Sequence, residues 1–203
     1  MIDAATKAPA TPERAVPTRY TSIAQIFHWV TAALIITQFV LARMAKDLPL
    51  GGRKLELLAR HKSVGMTVFM LAVLRLAWRL FKKAPPLPAN MPKLERLGAH
   101  LSHWALYALI FLMPVTGWLM SSAKNYSVSW FHLFTWPNLI APNERAFEVL
   151  KTVHDSLATV LFVLALVHML AALKHHFWHK DDVLKRMLPS FKSDKSSSTV
   201  GRA

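Results

Sequence analysis

Four apolar stretches of roughly twenty residues alternate with short charged or proline-containing connections. They cover about 23–43, 61–81, 94–121 and 153–176. Some twenty apolar residues suffice for a helix to cross a bilayer's ~30 Å hydrocarbon core. The pattern therefore predicts an all-α integral membrane protein, a four-helix bundle occupying residues 20–188. Thr21 or Ser22 is placed to cap the first span, and Pro49 with Gly51-Gly52 breaks the chain before the second. The stretch KKAPPLPANMP at 82–92 cannot be helical throughout, and Pro114 predicts a kink in the third span. Residues 122–152 form the longest connection. Its aromatic residues Trp130, Phe131, Phe134 and Trp136 predict a segment lying on the membrane surface. The tails, 1–19 and 189–203, carry little that could build a core and read as disordered.

Charge refines this picture. A formal net charge of +14 would suggest nucleic acid in a soluble protein, but the basic residues crowd the ends of apolar spans. Anionic lipid and topology account for them better, and no nucleic-acid partner is expected. Residues 1–22, 82–99 and 174–203 hold 14 Lys and Arg, against 7 in 44–60 and 122–152. The positive-inside rule then places both termini in the cytoplasm. No cysteine is present, which excludes disulfides, thiolate metal centres and covalent c-type haem. Residues 1–20 contain no apolar core of a signal peptide.

The ten histidines carry the chemistry. His154 and His168 are fourteen residues apart, a rise of about 21 Å that returns to nearly the same helix face. Under the predicted topology His28 lies near the cytoplasmic edge with His168, while His61 lies near the outer edge with His154. Ionisable residues in a membrane span are expensive and imply partners. Two pairs at two depths match two bis-histidine b haems, each iron taking one imidazole per face. A single histidine at a helix end is more often interfacial, and His132, His176 and His179 read that way. Zinc suits the pattern less well, because its four ligands must converge on one point.

Arg75 follows His61 by fourteen residues and returns to the depth of His28 and His168. A haem propionate or a cytoplasmic headgroup would satisfy it; for Arg79, a turn further out, the headgroup is the better partner. His100 and His103 start the third span on one face, where they could be interfacial, donate to a haem propionate, line a quinone pocket or serve as alternative ligands of the inner haem. His175 lies two turns beyond His168 and could pass a proton to a reduced quinone.

The segments RYTSIAQIFHW, RHKSVG, AHLSHWALY, PVTGWLM, VHDSLA, LVHMLAALKHH and DDVLKRMLP, in this order and spacing, resemble the bacterial cytochrome b561 family over about residues 20–190. The resemblance implies a diheme cytochrome of the bacterial inner membrane, with His28, His61, His154 and His168 as axial iron ligands. In the family's superoxide-oxidising members, it further implies electrons passing from periplasmic superoxide through outer and inner haems to ubiquinone. His175 then matches a histidine beside the quinone, and Lys124 a cationic residue near the outer face. Lys62 and Lys151 add positive charge there, which would steer a superoxide anion. An electron-transfer subunit of a dehydrogenase or hydrogenase shares this scaffold, because haem ligands do not record the donor. A haem-free ion or metal transporter lined by histidines is the alternative of another class.

Overall fold

The structure, a computed structural model, describes residues 18–82, 84–88 and 90–189. Most of both tails expected to be disordered lies outside these residues. Four long helices dominate: α1 (Ser22–Lys46), α2 (Gly52–Phe81), α3 (Lys93–Ala123) and α4 (Glu144–Lys174). All four are long and apolar enough to cross a membrane. Between α3 and α4 stands a hairpin of β1 (Val128–Trp130) and β2 (Phe134–Trp136), antiparallel with Ser129 opposite Thr135.

The starts of α1 and α4 follow from capping chemistry. Thr21 Oγ1 accepts the Ala24 amide and Asn143 Oδ1 accepts the Ala146 amide, each satisfying a helix-end donor. Two helices outrun their apolar spans. α2 begins at Gly52 and α4 at Glu144, so His61 and His154 lie well inside their helices rather than opening them. The added turns, GRKLELLAR and ERAFEVLKT, are too charged for hydrocarbon but consist largely of helix formers. α3 runs through Pro114 as one helix.

The helices pack as two antiparallel pairs, α1 with α2 and α3 with α4, joined along α2 and α3. α1 and α4 meet through side chains, among them Phe39 and Phe162 with ring centres 5.4 Å apart. Few apolar side chains among the described residues are buried: Met66, Val68 and Ala72 of α2, Leu109 of α3 and Leu161 of α4 are among them. Phe162, Val163, Val167 and Leu170 are about half exposed, as expected where lipid solvates the outer faces.

The aromatic connection does not simply lie on the membrane surface. Val128 is buried, and the hairpin packs back onto α2. The Ser63 hydroxyl lies 2.9 Å from the Ser129 carbonyl and accepts the Phe131 amide at 3.1 Å. Trp130 Nε1 donates to Thr67 Oγ1 at 3.0 Å. Buried hydroxyls on α2 thus hold the hairpin as a lid on that end of the bundle. At the other end, residues beyond α4 strap across the start of α1: Arg19 donates to the Lys185 and Leu188 carbonyls, and Trp29 Nε1 to that of Met187.

Candidate functional site

Along the bundle the half-buried histidines fall at two levels. At the end shared by the termini, His28 of α1 faces His168 of α4, ring centres 6.3 Å apart and planes at 63°. Towards the hairpin, His61 of α2 faces His154 of α4 at 6.4 Å and 78°. Two imidazoles bound at about 2.0–2.1 Å on opposite sides of one metal ion, each nitrogen about 1.2 Å from its ring centre, have centroids about 6.5 Å apart. Both pairs meet that spacing. Among the described residues no group of three or more His, Asp or Glu side chains could hold a metal ion. Two imidazoles facing each other instead suit an iron that brings its other four ligands in a macrocycle.

The pair nearer the hairpin has a hydrogen-bond partner on α3. Thr116 Oγ1 of α3 lies 2.9 Å from the Met113 carbonyl and 3.0 Å from His154 Nδ1. With the hydroxyl proton on the Met113 carbonyl, Thr116 accepts from His154 Nδ1–H and Nε2 is left bare. That is the arrangement of metal-binding histidines whose other nitrogen is held by a second partner. Gly117 adds a steric condition: a Cβ there would lie 3.1 Å from His154 Cε1. His61 Nδ1 is buried.

At the other level, Arg75 reaches His28 Nδ1 at 3.4 Å, and its guanidinium also lies 5.4 Å over the Tyr107 ring. His103 stands 5.4 Å from the ring of His168. His103 and the exposed His100 also line two adjoining cavities. One, of 270 Å³, is walled by Leu76, Trp104, Tyr107 and Phe111; the other, of 470 Å³, reaches Tyr20 and the proline turn. Arg79 borders both, so the cleft is apolar towards lipid and basic towards the termini. His175 lies elsewhere, between α3 and the strap, with Nδ1 2.6 Å from Asp181 Oδ2.

The sequence that builds this architecture has relatives among known proteins. A family model described as prokaryotic cytochrome b561 matches residues 19–190. The chain belongs to the prokaryotic cytochrome b561 family. It is 37% identical over 180 residues to "Cytochrome b561 homolog 2" of Escherichia coli (strain K12), covering 88% of this chain and 95% of that one. It is 25% identical over 174 residues to "Cytochrome b561 homolog 1" of the same organism, covering 84% and 97%. It is 32% identical over 130 residues to "Probable superoxide oxidase CybB" of Yersinia pestis, covering 64% and 73%. As a cytochrome b561 the chain is a multi-pass protein of the bacterial inner membrane that transfers electrons, with b-type haem as the family's cofactor. The facing imidazoles and the bare Nε2 of His154 fit such a group.

The lysines expected to steer an anion are not free. Lys124 Nζ is 2.7 Å from both carboxylate oxygens of Glu144, and this hydrogen bond raises its pKa. Lys151 pairs with Asp155 at 3.3 Å. Lys62 reaches the Ser127 carbonyl at 3.3 Å and lies 5.4 Å over the Tyr126 ring. Periodicity did not point to Thr116, Gly117, Glu95 or Asp181, although PVTGW already sets a hydroxyl and a glycine side by side.

Proposed function

We propose that the protein binds two b haems and carries electrons across the inner membrane from periplasmic superoxide to ubiquinone. The supporting observation is the pair of imidazole spacings, 6.3 and 6.4 Å, at two levels of one bundle. His28 and His168 would hold the inner haem, and His61 and His154 the outer. Both termini are taken as cytoplasmic, as the distribution of Lys and Arg argues. When bound, the haems would supply one-electron redox chemistry, and a pair of histidines holding each would suit electron transfer rather than oxygen activation.

The chain's own residues orient, neutralise and protonate. Thr116 fixes the tautomer and plane of His154. Arg75, held over Tyr107, would neutralise an inner propionate and so release its contact with His28 Nδ1, with His100 and His103 near that propionate or the quinone. A guanidinium can only donate, whereas a ligating imidazole needs its own proton on Nδ1. At the quinone, His175 would supply a proton. The superoxide assignment draws on the likeness to the Yersinia pestis relative, whose name is that of a probable superoxide oxidase.

Rapid mixing of the purified protein with superoxide should reduce the haems well above the uncatalysed rate, and ubiquinone should reoxidise them. Failure of the first step removes the donor, and failure of the second removes the acceptor. A preparation lacking a Soret band would overturn the haem reading. His28→Ala and His168→Ala should each lose one haem and keep the other, and His61→Ala and His154→Ala the reverse.

A further inference from the structure

Beyond Lys174 the chain leaves α4 through a single π-turn, His175–His179, and Lys180 reverses it at φ 53°. The reversal brings Asp181 back onto the helix end, its amide donating to the His175 carbonyl at 3.2 Å. Asp181 Oδ2 accepts from His175 Nδ1 at 2.6 Å, while Oδ1 accepts the Val183 amide at 3.0 Å. Burial works to raise the Asp181 carboxyl, but the Val183 and His175 hydrogen bonds outweigh it and the net shift is downward. An ionised carboxylate has no proton to give, so Nδ1 holds the shared one and Nε2 is left to exchange.

Facing that nitrogen is Glu95 of α3. Its Oε2 is buried without a hydrogen-bond partner and lies 3.7 Å from His175 Nε2. Oε1 accepts from Lys174 Nζ at 2.9 Å and lies 3.5 Å from His179 Nε2. The His175 side chain is 12% exposed, whereas His179 at 35% and Lys174 at 54% reach water. Exposed and buried titratable groups thus lie in a line ending at His175.

We propose that His179, Glu95 and His175 form a proton-delivery relay to the quinone, with Asp181 as the positioning residue that fixes the His175 tautomer. The relay rests on the reading of His175 as the quinone-side histidine. Converting a quinone to a quinol takes two electrons and two protons. The electrons arrive from superoxide by way of the histidine pairs, two superoxide ions leaving as two molecules of dioxygen. For each proton, Glu95 Oε2–H first protonates His175 Nε2, the resulting imidazolium gives that Nε2 proton to a quinone oxygen and returns to its Nδ1–H form, and His179 recharges Glu95 from water. Asp181 keeps its charge throughout.

The test uses full-length, haem-loaded protein with Glu95→Gln, Asp181→Asn and His175→Asn. Reoxidation of the reduced protein by a short-chain ubiquinone should slow about tenfold in each, the scale of a lost acid–base function. Quinone KM and the rate of haem reduction should stay at wild-type values. Glu95→Asp should recover part of the rate. Independently of turnover, imidazole nitrogen NMR of histidine-labelled protein should show His175 as the Nδ1–H tautomer, and Asp181→Asn should move it towards Nε2–H. Wild-type rates in Glu95→Gln and Asp181→Asn beside a slow His175→Asn would overturn the relay and leave the His175 site standing. A wild-type rate in His175→Asn would overturn both.

Discussion

Replacing Thr116 with valine keeps the side chain's shape and removes one hydroxyl. That hydroxyl donates to the Met113 carbonyl at 2.9 Å and accepts from His154 Nδ1 at 3.0 Å. Two routes give the size of the effect. Stranding a buried donor costs about 1–3 kcal/mol. Loss of the second partner of a metal-binding histidine weakens metal affinity by about 10–100-fold, or roughly 1.4–2.7 kcal/mol. The routes agree, and because His154 is only half-buried, a loss of about tenfold in outer-haem affinity is expected. An imidazole whose Nδ1–H is unsupported is also a poorer donor to ferric iron, so the outer midpoint potential should rise. Haem content measured during graded haem supply, with a potentiometric titration of the product, reads both quantities. The inner haem should be unaffected, its ligand on α4 lying about 21 Å away. Thr116→Ser should restore wild-type behaviour. If Thr116→Val keeps wild-type haem content and both midpoint potentials, Thr116 does not orient an iron ligand; if the inner haem is the one disturbed, the assignment of levels is wrong.

Gly117→Ala places a methyl group 3.1 Å from His154 Cε1, so the ring must shift by a few tenths of an ångström. Outer-haem occupancy should fall with the helix content unchanged, as absorption and circular dichroism would show. Glu144→Gln releases Lys124 from its carboxylate; on the superoxide reading, haem reduction should accelerate about twofold or more at low salt and lose the gain at high salt. Asp181 sets an acid limit on the strap. Its folded pKa is depressed, so its stabilising contribution is complete above the ordinary carboxylate value of about 4 and is lost as pH falls through the folded value. The Val183 amide should lose its protection, relative to the intrinsic exchange rate at each pH, only below about pH 4, and protection lost near neutrality would show that Asp181 does not hold the strap.

Helix number and membrane character were legible because hydropathy and length alone decide them. The partners His28 with His168 and His61 with His154 followed from depth, since a fourteen-residue interval on one helix repeats a face whatever its neighbours do. Helix ends were less legible. Residues 52–60 and 144–152 are charged enough to fall outside an apolar window, yet nothing in water stops a helix from continuing through them. The hairpin was missed for another reason: Ser63 and Thr67 look like ordinary helix hydroxyls until the chain returns more than sixty residues later to use them. Glu95 and Asp181 likewise gain their meaning from a π-turn and a helix pairing that no local pattern records.

α1 and α4 approach one another through side chains, and each facing imidazole pair draws one ring from the first helical hairpin and one from α4 in the second. On the proposed ligation, each iron would therefore tie together two halves that are made at different times. The first hairpin can be in the membrane with His28 and His61 waiting before His154 and His168 have been synthesised. Haem supply would then act on biogenesis as well as on activity: chains made during haem shortage would keep an unfastened seam between the first helical hairpin and α4, the place where a membrane protease or a quality-control factor would first find them.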